Sequence, residues 1–432
     1  MFLLELLFGS ICFLIGIIIA VAGCMVMPFL PKLAKGYASL DINLYGTFGL
    51  MLVSVVLTYL FSAKTSLINA YKDNYITTTI TSCGQLLQHV LQIFVLCWSK
   101  SFVWYLVCRI IATGVQWIVT EIVTRRKYAH VFVNTYLQID KDTKREIIKN
   151  VKAMFMHRIG GVLVNTVDSI LISAFIGVTV LGKYSNYTTI MTAMIGTLAL
   201  FFAPLTSTIG HLFVKDKSAF KRYYNFFYAI NFILGCVFFL GYYGVIDNLI
   251  TLLFGAELEL KKSISFVITV NYFIQFMRQS TLLFRDASGT FYYDRWKPLI
   301  EGLSNLVLSI LFVVLFKRFI GDDFAVVGVI LATIITNLFI CHIVEPFVLY
   351  KYAFQVSTMF TKKYYLRNYC YIAVFVIFLI ILNFCMVTVE NEWVELLVNG
   401  SIAVGISVVP IMAVIFLEKD FRYYMRKLLK KL

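Results

Sequence analysis

Charged side chains are scarce in this sequence. They account for 14% of its 432 residues, whereas soluble domains carry about 25%. The chain also has only six prolines and no low-complexity tract, which argues against a disordered linker or a second, soluble domain. Apolar residues are abundant instead: 60% of the residues are hydrophobic and the mean hydropathy is +0.84. This composition excludes a soluble globular protein and predicts an integral membrane protein.

Sequence signatures of catalytic and cofactor centres are also missing. The chain has no HExxH, GxSxG, Walker-type or GxGxxG motif, so neither a catalytic centre nor a nucleotide site is supported. Its nine cysteines are odd in number and include no CxxC pair, which disfavours a disulfide framework and a zinc site. We therefore expect a protein that is not an enzyme and that uses no cofactor or metal.

Apolar runs of membrane-spanning length recur along the chain. A spanning helix needs about 20 such residues, and twelve runs come near that length. They cover 6–27, 43–62, 76–98, 101–123, 159–180, 187–212, 224–245, 264–285, 298–316, 324–345, 369–389 and 394–417. The first run leads into PFLPKLAKG and not into a small-residue cleavage site, so it is interpreted as a span. The sequence predicts an all-α polytopic membrane protein with about twelve transmembrane helices.

Lysine and arginine are shared unevenly between the two sides of the predicted membrane. With the N-terminus inside, the inner loops and the C-terminal tail hold 27 of the 38 basic residues and the outer loops hold 8. Basic residues accumulate in cytoplasmic loops, so both termini are predicted to be cytoplasmic. The net charge of +15 would suggest nucleic acid for a soluble protein. Here topology and anionic lipid explain it, and we expect membrane lipid, not nucleic acid, as a partner.

A polar stripe runs through the stretch from 271 to 305, NYFIQFMRQSTLLFRDASGTFYYDRWKPLIEGLSN. At 100° per residue, four of its side chains fall within an arc of roughly 80° on one helix. They are Asn271, Gln275, Arg278 and Arg285. The next helix carries a similar stripe of Glu301, Asn305 and Ser309. Because polar side chains in a span face a cavity or another helix, we interpret this hairpin as lining the path of a polar, anionic substrate.

A second polar constellation lies in the fifth run. Arg158, Gly161, Asn165 and Asp168 share one helix face, with Asp168 in the middle of the span. A lone carboxylate there costs a few kcal/mol on insertion scales, so it is paired, protonated or used. One interpretation makes it a structural partner of Arg109 or Arg278. The other makes it a proton or cation site, and both interpretations stay open.

Three further ionisable residues fall inside apolar runs. Arg109, in YLVCRIIATG, is a deep charge and a candidate for a cavity. His342 and Glu345 lie three residues apart on one helix face, which favours a structural ion pair. Pro346 follows directly and is expected to end that helix.

Three stretches resemble the bacterial polysaccharide transporters, the flippase-type exporters of the multidrug/oligosaccharidyl-lipid/polysaccharide superfamily. They are FRDASGTFYYDRWKPLIEGLSNLVLSI, GVILATIITNLFICHIVEPFVLYKYAF and IIKNVKAMFMHRIGGVLVNTVDSILISAFIGVTVLGKYSNYTTI. The resemblance covers nearly the whole chain and is weaker before about residue 75. It implies a transporter of the bacterial cytoplasmic membrane that moves undecaprenyl-pyrophosphate-linked oligosaccharides by alternating access, coupled to a proton or sodium gradient. A polysaccharide polymerase complex is a further possible partner.

The resemblance also implies a domain organisation of two pseudo-symmetric helix bundles with two extra helices. The divisions expected are a partial N-terminal bundle over 1–123, an amphipathic cytoplasmic linker over 124–158, a six-helix bundle over 159–350, the extra pair over 351–417 and a basic tail over 418–432. The family has six helices before the linker, whereas this sequence has four, so it is expected to begin at the family's third helix. A late start, a truncated gene or a shortened paralogue would give this pattern.

Site roles follow from the stripes and the resemblance together. For substrate binding the candidates are Arg278, Arg285, Arg158, Arg109, Asn271 and Asn165; for ion coupling they are Asp168, Asp286 and Glu301. Guanidinium groups bind pyrophosphate oxygens through two parallel hydrogen bonds, and the carboxylates are candidates for the coupled ion. Three other functions remain open: a drug or cation exporter of the same superfamily, a non-transporting paralogue or assembly partner, and a membrane sugar polymerase or ligase, which the short outer loops disfavour.

Overall fold

The computed structural model describes residues 2–40, 42–71, 73–129, 145, 161, 166–202, 205–321, 324–356 and 358–429. The chain divides into two compact units, Met1–Ile148 and Lys149–Leu432. The boundary falls within the expected linker 124–158, most of which lies outside the described residues. The finer division of the second unit stays a prediction.

All regular structure in the described part of the chain is helical. The first unit contains α1 (Phe2–Val26), α2 (Leu44–Ala70), α3 (Asn74–Ser99) and α4 (Phe102–Lys127), with short helical turns at Met27–Phe29, Leu30–Leu33 and Tyr37–Leu40. The second unit contains α5 (Thr166–Ile176), α6 (Val178–Phe202), α7 (Leu205–Lys215), α8 (Lys217–Phe254), α9 (Lys262–Met277), α10 (Gln279–Ala287), α11 (Lys297–Phe319), α12 (Ala325–Ala353), α13 (Thr358–Cys385), α14 (Glu392–Leu417) and α15 (Lys419–Leu429), with short turns at Ala256–Leu258 and Thr290–Tyr292. The predicted all-α fold class is confirmed.

The first unit is held together by helix packing and by a few polar contacts near the helix ends. Its helices pack in the pairs α1 with α2, α2 with α4 and α3 with α4. Asn43 caps the start of α2 by accepting a hydrogen bond from the Gly46 N–H, at 3.0 Å. Lys64 on α2 and Glu121 on α4 form an ion pair. Most of the apolar surface of these helices is exposed within the unit, as expected for helices that face lipid or other helices.

The second unit is organised around α8, a helix of 38 residues. Asp216 begins it by accepting hydrogen bonds from the N–H groups of Ser218 and Ala219, at 2.8 and 3.0 Å. The core along α8 is rich in buried aromatic rings, and Phe273 of α9 stacks on Phe375 of α13 with ring centroids 3.6 Å apart. Because aromatic rings bury large areas, this core fixes α8 against α9, α13 and α14.

Two of the twelve predicted runs are each divided between two helices. The run 187–212 comprises the end of α6 and α7, and the run 264–285 comprises α9 and α10 with Arg278 between them. At that break the Arg278 N–H donates to the Gln275 carbonyl oxygen, three residues back, at 3.2 Å. This tight turn interrupts the regular four-residue pattern, so Arg285 does not continue the same straight helix as Asn271.

The helix that carries Pro346 continues past it, so the expected helix end at this residue is wrong. α12 runs to Ala353 and contains wider π-helical turns at Asn337–Cys341 and Leu349–Ala353. Such turns release the backbone from the regular pattern, and they accommodate a proline whose ring removes one donor from the helix. The long helix brings Asn337 and Glu345 into one unit core, where both are buried.

Within the described residues, nine helices are long and apolar enough to cross a membrane. They are Cys12–Leu33, Leu44–Ala70, Asn74–Ser99, Phe102–Lys127, Lys217–Phe254, Lys297–Phe319, Ala325–Ala353, Lys362–Cys385 and Glu392–Leu417. The three other predicted runs correspond to α5, to α6 with α7, and to α9 with α10. Part of the run that contains α5 lies outside the described residues. The fold is that of a multi-pass membrane protein.

Candidate functional site

A cavity of about 620 Å³ lies inside the second unit, among α5, α6, α9, α10 and α12. Its lining consists of Asp168, Ser169, Tyr184, Thr188, Thr189, Thr192, Ile195, Gly196, Asn271, Tyr272, Gln275, Phe276, Arg278, Gln279, Leu282 and Thr333. Hydroxyl and amide groups dominate this list, and one carboxylate and one guanidinium supply its formal charges. All of these lining residues belong to the second unit.

α5 ends at a glycine, and Asp168 of this helix lies at the cavity wall. Gly177 has φ of 142° and ψ of 161°, a conformation that side chains with a Cβ rarely adopt, and it turns the chain directly into α6. Both helices then face the same space. The Asp168 carboxylate lies beside the Thr333 hydroxyl of α12, whose oxygen is 3.1 Å from Oδ1 and 3.0 Å from Oδ2.

Asp168 forms no ion pair with a described residue. The expected pair of Asp168 with Arg278 is therefore not formed, although both residues line the same cavity. Its hydrogen bond comes from Thr333, and that hydroxyl oxygen in turn accepts a hydrogen bond from the Asn305 amide of α11, at 2.8 Å. A neutral hydroxyl leaves the charge of the carboxylate uncompensated, which is a costly arrangement inside a membrane.

Unpartnered oxygen atoms accompany Asp168. Oδ1 of Asn271, Oδ1 of Asn305 and Oγ of Ser309 are buried and have no hydrogen-bond partner among the described residues. Asn271 lines the cavity itself, and Asn305 and Ser309 belong to the buried face of α11. Because buried polar groups are normally satisfied, open oxygens of this kind are ones that a cation or an ordered water would complete.

Arg278 occupies the break between α9 and α10 at another part of the cavity wall. Its guanidinium makes a two-pronged contact with Glu345: Nη2 donates to Oε1 at 2.6 Å and Nε donates to Oε2 at 3.1 Å. Nη1 donates to Oδ1 of the Asn337 side chain at 2.6 Å and to Glu301 Oε1 at 3.4 Å. Every nitrogen of the guanidinium is therefore engaged, and only 14% of this side chain is exposed.

Lys297 completes the group of charges. Its ammonium donates to Glu345 at 2.5 Å and to Glu301 at 2.8 Å. Arg278, Lys297, Glu301 and Glu345, here called the charge quartet, thus join two cations and two anions, and no more than 5% of the Lys297, Glu301 and Glu345 side chains is exposed. The quartet is formally neutral, so it holds the Arg278 side chain without leaving a net charge in the core.

Three members of this network were not anticipated from the sequence. The sequence pattern singles out neither Lys297 nor Asn337, and it favours His342 as the partner of Glu345. In the structure the His342 Nε2 lies 2.9 Å from the Ile274 carbonyl oxygen, so the expected ion pair with Glu345 is not formed. A signal was available: a deep arginine in a membrane helix requires carboxylate partners.

Arg285 and Asp286 lie outside the cavity lining. Arg285 Nη1 donates to the buried Asp294 at 2.7 Å, and its Nε and Nη2 donate to Asp286 at 3.0 and 2.9 Å. Oδ1 of Asp294 has no partner among the described residues. This second charged group links α10 to the turn that precedes α11.

The remaining candidates are placed elsewhere or cannot be placed. Arg109 lies on α4 in the first unit, where it is exposed. Arg158 and Asn165 lie outside the described residues. Of the predicted site residues, the cavity therefore brings together Asp168, Asn271 and Arg278, and Glu301 reaches it only through Arg278. Their roles remain predictions.

Comparison with known proteins gives a likeness in structure and not in sequence. No protein-family model matches the chain. No curated protein matches it either. Among solved structures it is similar to the lipid II flippase MurJ in an inward closed conformation, with a TM-score of 0.64 and 12% sequence identity. The match covers 95% of this chain and 84% of that chain. The chain therefore has a flippase-type polytopic fold; at this identity the likeness establishes the fold alone.

Proposed function

We propose that this protein moves lipid-linked oligosaccharides across a bacterial cytoplasmic membrane by ion-coupled alternating access. The observation that carries the proposal is the polar cavity of about 620 Å³ inside a helical unit, in a chain with the fold of a lipid II flippase. A sugar-diphosphate head must cross a hydrocarbon core about 30 Å thick. A cavity walled by hydroxyl and amide groups lowers that barrier, while the lipid tail stays in the bilayer.

Arg278 is the cation we assign to the diphosphate. It is the guanidinium in the cavity lining, and a guanidinium suits bidentate contact with phosphate oxygens. Glu345 and Glu301 already occupy it, so the substrate must displace at least one carboxylate. Asn271 offers an unpartnered amide oxygen to a sugar hydroxyl. Arg285, Arg158, Arg109 and Asn165 remain further candidates for the same head group.

Asp168 is the residue we assign to ion coupling. Its carboxylate lacks a cationic partner in the described part of the chain. Asn271 lines the same cavity and Asn305 is linked to Asp168 through Thr333, and each has an open side-chain oxygen. A proton on Asp168, or a sodium ion shared with these oxygens, would neutralise the carboxylate. Glu301 and Asp286 are secondary candidates: protonation of Glu301 would remove one anion from the charge quartet and loosen the hold on Arg278.

The transport proposal is tested by filling the cavity. Gly196 lines it, and a Cβ added at this residue would meet no atom within 4 Å, so Gly196→Trp places a large ring in the cavity. Gly182→Trp is the matched control, because Gly182 is equally open and lies on the same helix outside the lining. Each variant is expressed in a strain that lacks its own flippase, and surface polysaccharide is measured at equal membrane levels of protein.

We expect the wild-type chain and Gly182→Trp to restore polysaccharide and Gly196→Trp to fail. Equal restoration by both variants contradicts the cavity as the transport path. If the wild-type chain itself restores nothing, a non-transporting paralogue or assembly partner is favoured instead. For coupling, Asp168→Asn should make transport independent of the ion gradient, and unchanged dependence would exclude this residue from coupling.

A drug or cation exporter is the second candidate, and one observation favours it. Arg278 is neutralised by two carboxylates, whereas Asp168 in the same cavity has no cationic partner among the described residues. A cavity of that kind attracts organic cations. Efflux of a lipophilic cation that is lost in Asp168→Asn, together with no gain in polysaccharide, would support this function over the first.

A further inference from the structure

The last helix of the described chain is docked on the second unit and is not a free tail. Phe421 and Tyr424 of α15 are buried, and their rings lie 5.7 and 5.3 Å from the ring of Phe226 on α8. Tyr223 of α8 lies 4.4 Å from the Tyr424 ring. One residue on each helix adds a hydrogen bond, since the Asn225 amide donates to Asp420 at 2.7 Å. The orientation of α15 is therefore set by α8.

Docking turns the basic residues of α15 outward. Four basic residues of α15 are exposed: Lys419, Arg422, Arg426 and Lys427. Together with Tyr423 they form the surface of a depression with a volume of about 580 Å³. The spacing of three and then four residues places the first three on one helix face. None of the four cations makes a side-chain hydrogen bond or ion pair with a described residue, so their charges are uncompensated on that side. We call this surface the α15 basic face.

The position of α15 in the chain places this face at the edge of the membrane. The spanning helix α14 ends at Leu417, and its last residues, Phe416 and Leu417, are 64% and 77% exposed. Glu418 follows in an extended conformation, with φ of −86° and ψ of 108°, and α15 begins directly after it. Tyr423 exposes about half of its surface among the cations, and tyrosine is enriched at the level of lipid head groups.

We propose that the α15 basic face binds the phosphate head groups of anionic phospholipids in the adjoining leaflet. Four uncompensated cations beside a span, with an exposed tyrosine between them, fit a surface of phosphodiester anions. The two arginines can hold phosphate oxygens through paired hydrogen bonds, and the two lysines add compact charges. Because the face is held by α8, lipid binding there would anchor the end of α8 that also carries Phe226.

The test measures lipid selectivity of the purified full-length chain. The protein is reconstituted in phosphatidylcholine vesicles containing a small fraction of spin-labelled phosphatidylglycerol, and the immobilised fraction is compared with that of spin-labelled phosphatidylcholine. In one variant Lys419, Arg422, Arg426 and Lys427 are all changed to Gln. The matched control changes four exposed cations elsewhere, Lys32, Lys100, Arg126 and Arg318, to Gln. A third variant exchanges Lys and Arg at the four α15 positions and keeps the charge.

We expect the wild-type chain to prefer phosphatidylglycerol over phosphatidylcholine. In the variant that lacks the four α15 cations, this selectivity should fall at least fivefold. One basic residue near an anionic surface contributes about fivefold in affinity, so four give a measurable margin. The control and the charge-preserving variant should stay within twofold of wild type, and salt should weaken the preference. All variants are first matched for thermal unfolding.

Three results would overturn the proposal. One is a wild-type chain that does not distinguish the two lipids. Another is an equal loss of preference in the α15 variant and in the control, because net charge alone would then account for binding. The third is displacement of the label by a diphosphate-linked lipid at a far lower fraction than by unlabelled phosphatidylglycerol, which would make the face a loading site for transport substrate.

Discussion

Arg278 and Glu345 meet in the core of the second unit through two hydrogen bonds, Nη2 to Oε1 at 2.6 Å and Nε to Oε2 at 3.1 Å. This fork-to-fork contact fixes the plane of the guanidinium as well as its position. Lys297 shares the same carboxylate, so Glu345 balances two cations at once. The geometry makes Glu345 the anion on which the charge quartet depends most.

Loss of that anion should destabilise the protein strongly. Glu345→Gln leaves Arg278 and Lys297 with only Glu301 as an anionic partner. Breaking a buried ion pair from one side costs about 3–5 kcal/mol, and we expect a loss in that range. The midpoint of thermal unfolding in detergent measures it. The double variant Glu345→Gln, Lys297→Met removes one charge of each sign and should recover part of the loss. A single variant as stable as wild type contradicts the network.

Close packing between α11 and α12 should be equally sensitive. A Cβ at Gly328 would lie 2.8 Å from the Phe312 carbonyl oxygen and 3.2 Å from the Phe316 ring. Small residues allow such close helix approach in membranes, so Gly328→Ala should force the helices apart and lower stability by about 1–3 kcal/mol. Gly241→Ala on α8 is the control, because nothing lies within 4 Å of its Cβ. Equal stability of the two variants would show that α11 and α12 can move apart without a loss of stability.

The Thr333 hydroxyl should contribute to stability, because it forms hydrogen bonds with both Asp168 and Asn305. Thr333→Val keeps the shape of the side chain but removes the donor to Asp168 and the acceptor for the Asn305 amide. An unsatisfied buried polar group costs about 1–3 kcal/mol. Thermal unfolding should show a loss of that size. Thr192→Val should be near neutral, since that exposed hydroxyl only bonds within its own helix, to the Thr189 carbonyl oxygen at 3.0 Å. Similar losses in both variants would argue against a special role for Thr333.

The turn between α2 and α3 should be sensitive to acid. Asp73 accepts hydrogen bonds from the Lys127 ammonium at 2.8 Å and from the Tyr128 hydroxyl at 2.5 Å. These two hydrogen bonds hold the pKa of Asp73 below its ordinary value of 3.8, and the bond from Lys127 has the larger effect. Because the pKa is lower in the folded state, the stabilisation is complete above that ordinary value and is lost as the pH falls through the folded value.

Pepsin cleavage across about pH 2 to 5 tests this dependence, because cleavage needs an opened chain. Cleavage near Tyr71 should rise at the acidic end for wild type by more than the change in pepsin activity alone. Asp73→Asn has no carboxylate to titrate, so it reports that change in pepsin activity and should be cleaved readily at every pH. Parallel profiles for the two proteins would show that the ion pair does not hold the turn.

The sequence allowed the helical class to be predicted and allowed some cavity residues to be named. Periodicity alone groups Asn271, Gln275 and Arg278 on one helix face, and all three line the cavity. Arg285 fails the same extrapolation because the helix breaks at Arg278, and an arc computed for a straight helix does not survive a break. Periodicity describes one element at a time, so it applies only as far as that element stays regular.

Partner choice could not be read from the sequence in the same way. Glu345 lies three residues from His342, which suggested a local pair, yet its partners come from 67 and 48 residues away. The long course of α12 past Pro346 and the position of Lys297 at the start of α11 create those contacts. Each depends on how separate helices pack, and a buried carboxylate binds whichever cations that packing supplies.

The break at Arg278 gives this side chain a mechanical place in the molecule. Arg278 is the single residue between α9 and α10, so the backbone that carries the guanidinium belongs to neither helix. The same guanidinium lines the cavity and contacts Glu345 and Glu301. One residue therefore connects the two helices, the cavity wall and the acidic side chains of the core.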